Sequence, residues 1–234
     1  MEITPRAGVT LRLLVGGAVD APVTAILFPG GHGKVEVTEH GTLKGKLNGN
    51  FLVRTRKHLA ANGLAYAVFD APSDRLQGKG LTWAYRSGSE HAADIMAAVE
   101  AIRQKTGKPV WLVGTSRGST SVANAASRHP GGGFAGIVLT SGRGVEGDGN
   151  ILDFDLGKIS VPVLIAHHRN DGCKKTPFSG MEDVAGKIKG AEIMAFDGGD
   201  AGKAKNVCGG KSHHGFLKIE KKVVKKIADW IKQH

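Results

Sequence analysis

The sequence predicts an α/β fold, a mainly parallel twisted sheet with helices on both faces. Three observations carry that expectation. Short, β-rich apolar runs alternate with stretches of helical periodicity along most of the chain. Many of the 35 glycines fall in turns such as Gly131-Gly132-Gly133 and Gly198-Gly199, which suit tight strand-helix connections. With 41% hydrophobic and 23% charged residues over 234 positions, the composition is globular and excludes collagen-like, disordered and disulfide-dense chains. One domain over 1–234 is expected.

Seven runs read as strands: 10–15, 23–28, 64–69, 110–113, 135–139, 161–166 and 193–196. None approaches the length of a membrane span, and the first residues show no basic segment leading into an apolar one, so neither a membrane segment nor a visible signal peptide is expected. Between the strands, 51–62 reads as a helix stopped at Asn62-Gly63. The clearest helix is 89–106, with Ser89 as expected N-cap, an apolar stripe of Ala92, Ile95, Met96, Val99 and Ile102, and Gly107 beyond its end. Shorter helices are expected at 116–128 and 181–189. From Lys218 to Lys232, Ile219, Val223, Val224, Ile227, Trp230 and Ile231 recur at helical spacing, with lysines between them. The segment 141–160 holds five glycines and no helical pattern, so no helical lid is expected and the site beside it should be open.

The formal charge of +11 raises the question of nucleic acid. A nucleic-acid footprint concentrates Lys and Arg on one face with a recognisable module, whereas here they are scattered or sit on the solvated face of the last helix. No nucleic-acid partner is expected, although the charge should steer anionic ligands toward the protein.

The chemistry concentrates at Val110-Trp111-Leu112-Val113-Gly114-Thr115-Ser116-Arg117-Gly118-Ser119, an apolar strand, then G-x-S-x-G, then a helix of small residues. Glycines two before and two after the serine permit the strained strand-to-helix turn that lifts a nucleophile above a sheet. A serine hydroxyl is a weak nucleophile and needs a base, itself oriented by a third group. Asp171 follows the strand at 161–166, and His213-His214-Gly215-Phe216 follows the last strand and precedes the last helix. The order Ser, Asp, His is that of nucleophile-elbow hydrolases.

On these motifs the chain resembles the α/β-hydrolase superfamily over nearly its whole length, and looks most like small lid-less bacterial members akin to dienelactone hydrolases and simple carboxylesterases. The resemblance implies an eight-stranded sheet, Ser116 as nucleophile, His214 as general base and then acid, and Asp171 as the residue that orients it. His214 is preferred to His213 because His-Gly-Phe matches the family's histidine loop. Asp197 and Asp200 are rival acids, but they follow the wrong strand. The oxyanion donors implied are the amide of Arg117 and one from Pro29-Gly30-Gly31-His32-Gly33, with Gly31 and His32 both open. Gly33-Lys34 is not a phosphate loop, since Phe28 and Val35 stand where glycine and Ser or Thr are required.

The same fold would bring Cys173 and Cys208 together above the sheet, so a disulfide pinning the acid and histidine loops is expected. It would imply a periplasmic or extracellular setting, two reduced thiols in the cytoplasm being the alternative. His167, His168, Asp171, the two cysteines, His213 and His214 include enough ligand types for zinc. Their spacing matches no C-x-x-C or H-E-x-x-H pattern, so no metal or other cofactor is expected. For the small ester substrate, Arg75, Lys79 or Arg86 is expected to favour anionic or polar acyl groups, with Trp83 or Tyr85 packing the acyl or alcohol part. Rival readings are a fold-retaining binding protein without turnover, a metal-dependent hydrolase, and a peptidase or acyltransferase using the same three residues.

Overall fold

The computed structural model describes residues 1–234, with the exception of the side chain of Ala204. The seven expected strands are present, and an eighth precedes them: β1 (Glu2–Arg6), β2 (Val9–Gly16), β3 (Thr24–Phe28), β4 (Ala65–Phe69), β5 (Val110–Thr115), β6 (Gly136–Thr140), β7 (Val163–His168) and β8 (Glu192–Phe196). They form one sheet in the order β1-β2-β4-β3-β5-β6-β7-β8. β1 and β2 pair antiparallel, as do β2 and β4, and every other pairing is parallel.

β1 was not anticipated because it is a half-exposed edge strand with charged residues at both ends, so it lacks the apolar run that marks the buried strands. β3, β5 and β6 are buried throughout and are read easily.

The helices are α1 (Phe51–Ala61), α2 (Trp83–Ser87), α3 (Ser89–Thr106), α4 (Arg117–Arg128), α5 (Phe178–Gly186) and α6 (Glu220–Gln233). α2 was missed, and Gly88 rather than Ser89 stands at the α3 N-cap. α5 starts earlier than expected, after Pro177. Alternate strand residues divide the core between the two faces. Ile26, Phe28 and Leu112 pack with α3 and α4, including Ile95, Val99, Ile102 and Val122. Ala25, Leu27, Trp111 and Val113 pack with α1 and α6, including Phe51, Leu59, Val223 and Trp230. The C-terminal apolar stripe is thus core, and its lysines face outward.

The strand order reverses between β3 and β5, the crevice where open α/β sheets bind ligands beyond their strand ends. The segments leaving these two neighbours carry 29–33 and Ser116. The segment 141–160 contains only two single helical turns, at Ile151–Asp153 and Leu156–Lys158, and builds no helical lid. No helix is long and apolar enough to cross a membrane.

Candidate active site

Ser116 sits between β5 and α4 at φ 53°, ψ −125°, a left-handed conformation unusual for a non-glycine residue. Its N–H donates to Thr140 O at 3.0 Å, which holds the strained turn against β6. The flanking glycines are dictated by packing: a Cβ on Gly118 would overlap the carbonyl of Phe28, and one on Gly114 the carbonyl of Gly118. Gly30, in the loop after β3, lies so close that its Cβ would stand 2.8 Å from that of Ser116.

Asp171 and His214 meet as expected. His214 Nδ1 lies 2.8 Å from Asp171 Oδ2, with the carboxylate side chain fully buried. Asp171 Oδ2 also accepts from Thr176 Oγ1 at 3.0 Å, and Oδ1 accepts from the Cys173 N–H at 3.0 Å. Burial pushes the Asp171 carboxyl upward, but hydrogen bonds from His167 and His214 outweigh it and hold the group well below the ordinary carboxylate range. The carboxylate on one side of the ring places the His214 proton on Nδ1. His214 Nε2 is buried and has no hydrogen-bond partner among the described residues. His214 and Ser116 line the same cleft of about 420 Å³, together with Gly31, Lys46 and Cys208. The backbone of His214 is fixed at both ends, its carbonyl accepting from Ser141 Oγ at 2.7 Å and its N–H donating to Ser212 Oγ at 3.2 Å.

The rivals lie elsewhere. Asp197 pairs with Arg169, and Asp200 with Lys218, both at exposed positions. His213 stacks on His168, with centroids 4.1 Å apart, and its Nδ1 faces Asn170 O. Cys173 and Cys208 form a disulfide, so neither is a free thiolate, and no group of three metal-ligating side chains occurs among the described residues. One residue that sequence reasoning did not place at the site is His167: its buried Nε2 faces Thr176 O at 3.0 Å and Asp171 Oδ2 at 3.4 Å. Its place as the penultimate residue of β7, four residues before Asp171, was the available signal.

The expected substrate residues divide. Trp83 is half-buried in a second cleft with His32, Lys46, Lys79 and Arg117, and Lys46 is shared with the cleft of Ser116. Tyr85 and Arg86 are not at the surface. The five-residue helix α2 turns both inward, so Tyr85 bonds to Asp94 and Arg6, while Arg86, 1% exposed, reaches under the loop after β3. Arg75 stacks on Tyr85 and pairs with Glu90. Two other cations gather on Trp83: Arg117, next to Ser116 in the chain, whose guanidinium lies 4.6 Å from the Trp83 ring centroid, and the buried Arg143, at 5.3 Å from the same ring. Neither has a carboxylate within ion-pair distance among the described residues.

No protein-family model matches the sequence, and no curated protein matches it. Solved structures do. Est1E from Butyrivibrio proteoclasticus, in a complex with ferulic acid, is 16% identical with a TM-score of 0.66, the match covering 100% of this chain and 98% of that one. A dienelactone hydrolase from Anabaena variabilis is 14% identical with a TM-score of 0.71, over 100% and 96% of the two chains. XC6422 from Xanthomonas campestris, described as an α/β serine hydrolase without lid, is 15% identical with a TM-score of 0.58, over 94% and 88%. With this strand order, the turn at Ser116 and those full-length superpositions together, the chain has the α/β-hydrolase fold in a form without a helical lid.

Proposed function

We propose that the protein is a serine hydrolase of ester bonds, working as a single domain through an acyl-enzyme on Ser116. The observation that carries this reading is the buried, unpartnered Nε2 of His214, whose other ring nitrogen is held by Asp171 and whose ring shares a cleft with Ser116 on its strained turn. In this mechanism His214 Nε2 takes the Ser116 proton as Oγ attacks the ester carbonyl. The carbonyl π electrons move to oxygen, and the oxyanion accepts from the Arg117 amide at the start of α4 and from an amide of the loop 29–33. Collapse expels the alkoxide, which leaves as the alcohol after taking the proton from His214. Water then repeats the sequence on the acyl-enzyme, releasing the acid and restoring Ser116. Each half-reaction balances with these three side chains alone.

The cleft beside Ser116 is lined by Lys34, Lys46, Lys79 and Arg117 against Glu36 and Asp148, which favours esters bearing a carboxylate. Of the three expected cations Lys79 lines this cleft while Arg75 and Arg86 do not, and Arg117, stacked on Trp83, takes their place. The disulfide supports an oxidising compartment, periplasmic or extracellular.

The test is hydrolysis of p-nitrophenyl acetate, butyrate and hemisuccinate by wild type and Ser116→Ala, with intact mass after an organophosphonate probe. Turnover abolished by Ser116→Ala, one adduct on wild type and a preference for the hemisuccinate are expected. A folded protein with neither turnover nor adduct would be a binding protein on the same fold, and turnover that survives Ser116→Ala would remove the serine mechanism.

A further inference from the structure

Arg86 is a buried cation without a counter-ion. Its Nη1 donates to Ser121 Oγ at 2.7 Å, its Nη2 to Pro29 O at 3.0 Å and to Gly31 O at 3.4 Å, and its Nε to Leu81 O at 3.4 Å. Every one of these acceptors is neutral, and no carboxylate pairs with it among the described residues. His91, which shares Ser121 Oγ, is itself held neutral by burial. An interior guanidinium stays charged near neutral pH, and enclosing it without a carboxylate is unfavourable. The fold retains that cost directly beneath the loop that lies against Ser116.

Peptide geometry says what the grip achieves. A trans peptide is planar, with its N–H antiparallel to its C=O. Holding Gly31 O therefore fixes the direction of the His32 N–H, which points away from Arg86, and holding Pro29 O does the same for the Gly30 N–H. Gly30 O is tied separately, by Gly33 N at 3.3 Å, and a Cβ on Gly33 would stand 2.8 Å from Arg86 Nη2. Neither the Gly31 nor the His32 N–H donates to a backbone or side-chain acceptor among the described residues, and Gly31 lines the cleft of Ser116 and His214.

We propose that Arg86 is the positioning residue of the oxyanion site: its grip on the Pro29 and Gly31 carbonyls fixes the loop whose free Gly31 and His32 amides supply the second oxyanion donor, and its uncompensated charge favours the state in which negative charge stands there. The proposal rests on the serine-hydrolase reading and deepens it. An uncharged ester gains little from a buried cation. The tetrahedral oxyanion gains much more, so the effect belongs to kcat rather than to binding.

The experiment compares wild type, Arg86→Gln and Arg86→Lys for kcat and KM on p-nitrophenyl butyrate and for the rate of organophosphonate labelling, with thermal melts in parallel. Arg86→Gln is expected to lower kcat about 100-fold or more, with KM within about 3-fold, which is the loss seen when one oxyanion donor is removed. Labelling should slow in parallel, because phosphonylation also builds charge on that oxygen. Arg86→Lys keeps the charge and loses the two-carbonyl grip, so an intermediate fall of about 10-fold is expected; it carries the test if the Gln variant does not fold. A folded Arg86→Gln or Arg86→Lys protein with wild-type kcat, or one whose loss lies wholly in KM, overturns the proposal. Failure of the underlying reading is separate and visible, since wild type would then show no Ser116-dependent turnover.

Discussion

Reducing the Cys173–Cys208 bond should cost both stability and activity. The bond joins residues 35 apart in sequence. In the chain-entropy account, removing a cross-link of that span destabilises by about 4 kcal/mol at 25 °C. For a chain of this size each kcal/mol moves Tm by roughly 2–4 °C, so a fall of roughly 8–16 °C is expected. Activity should suffer well below the melt, because Cys173 donates its N–H to Asp171 and Cys208 lines the cleft of Ser116, six positions before His214 in sequence. The assay is calorimetry and p-nitrophenyl butyrate turnover at 20 °C on wild type, with and without a phosphine reductant, and on Cys173→Ala/Cys208→Ala. Cys208 is exposed, so the reductant has access. A shift under about 2 °C after complete reduction, verified by thiol counting, would refute the argument and mean that the two loops hold themselves.

Asp171→Asn should lower kcat by about 10³-fold, since the amide no longer fixes the Nδ1 proton of His214; carboxylate removal in such a triad costs up to about 10⁴, and here Thr176 Oγ1, 3.0 Å from Nδ1, remains as a partner. Steady-state kinetics on p-nitrophenyl butyrate check it, and an unchanged kcat would remove Asp171 from the mechanism. Stability should fall with acid in two windows. His91 is buried and held far below its ordinary value of 6.5, so the unfolded chain binds a proton first and stability declines as pH drops below about 6.5. Asp171, also depressed, contributes stability that is full above the ordinary Asp value of 3.8 and lost as pH falls below it. Melts from pH 8 to 2 test this, with His91→Asn expected to flatten the upper window.

The buried parallel strands and the long helices were legible because each run is apolar throughout or carries a 3.6-residue stripe. The turn at Ser116 was legible for a different reason: its two glycines are demanded by backbone carbonyls a few ångströms away. The meeting of Asp171 with His214 and the disulfide were expected from the resemblance to α/β-hydrolases and not from local pattern. What escaped was short or lay at an edge. β1 is half-exposed and α2 has five residues, too few for any periodicity to register. Taking Tyr85 and Arg86 as substrate contacts placed both side chains at the site rather than in the core. In the structure, one turn of helix rotates them into the interior, where Arg86 meets a loop 55 residues earlier in sequence. The guanidinium that holds the loop after β3 could not be found by sequence, because Arg86 and the Pro29 and Gly31 carbonyls are brought together only by the fold.

α4 carries Ser116 at its head, and nine consecutive residues, Gly118 to Ala126, are buried. Seven of the nine are Gly, Ala, Ser or Thr, so the helix sits against the sheet and its neighbouring helices with almost no side-chain bulk. Directed evolution aimed at new substrates would find few tolerated changes there, since every face is already in contact. The adaptable part of the molecule is the rim, at Lys34, Lys46, Lys79 and Asp148, where charge and size can be rewritten without disturbing the axle on which the nucleophile turns. A library confined to those four positions should retain folded protein in most clones, whereas one spread along α4 should lose it in most.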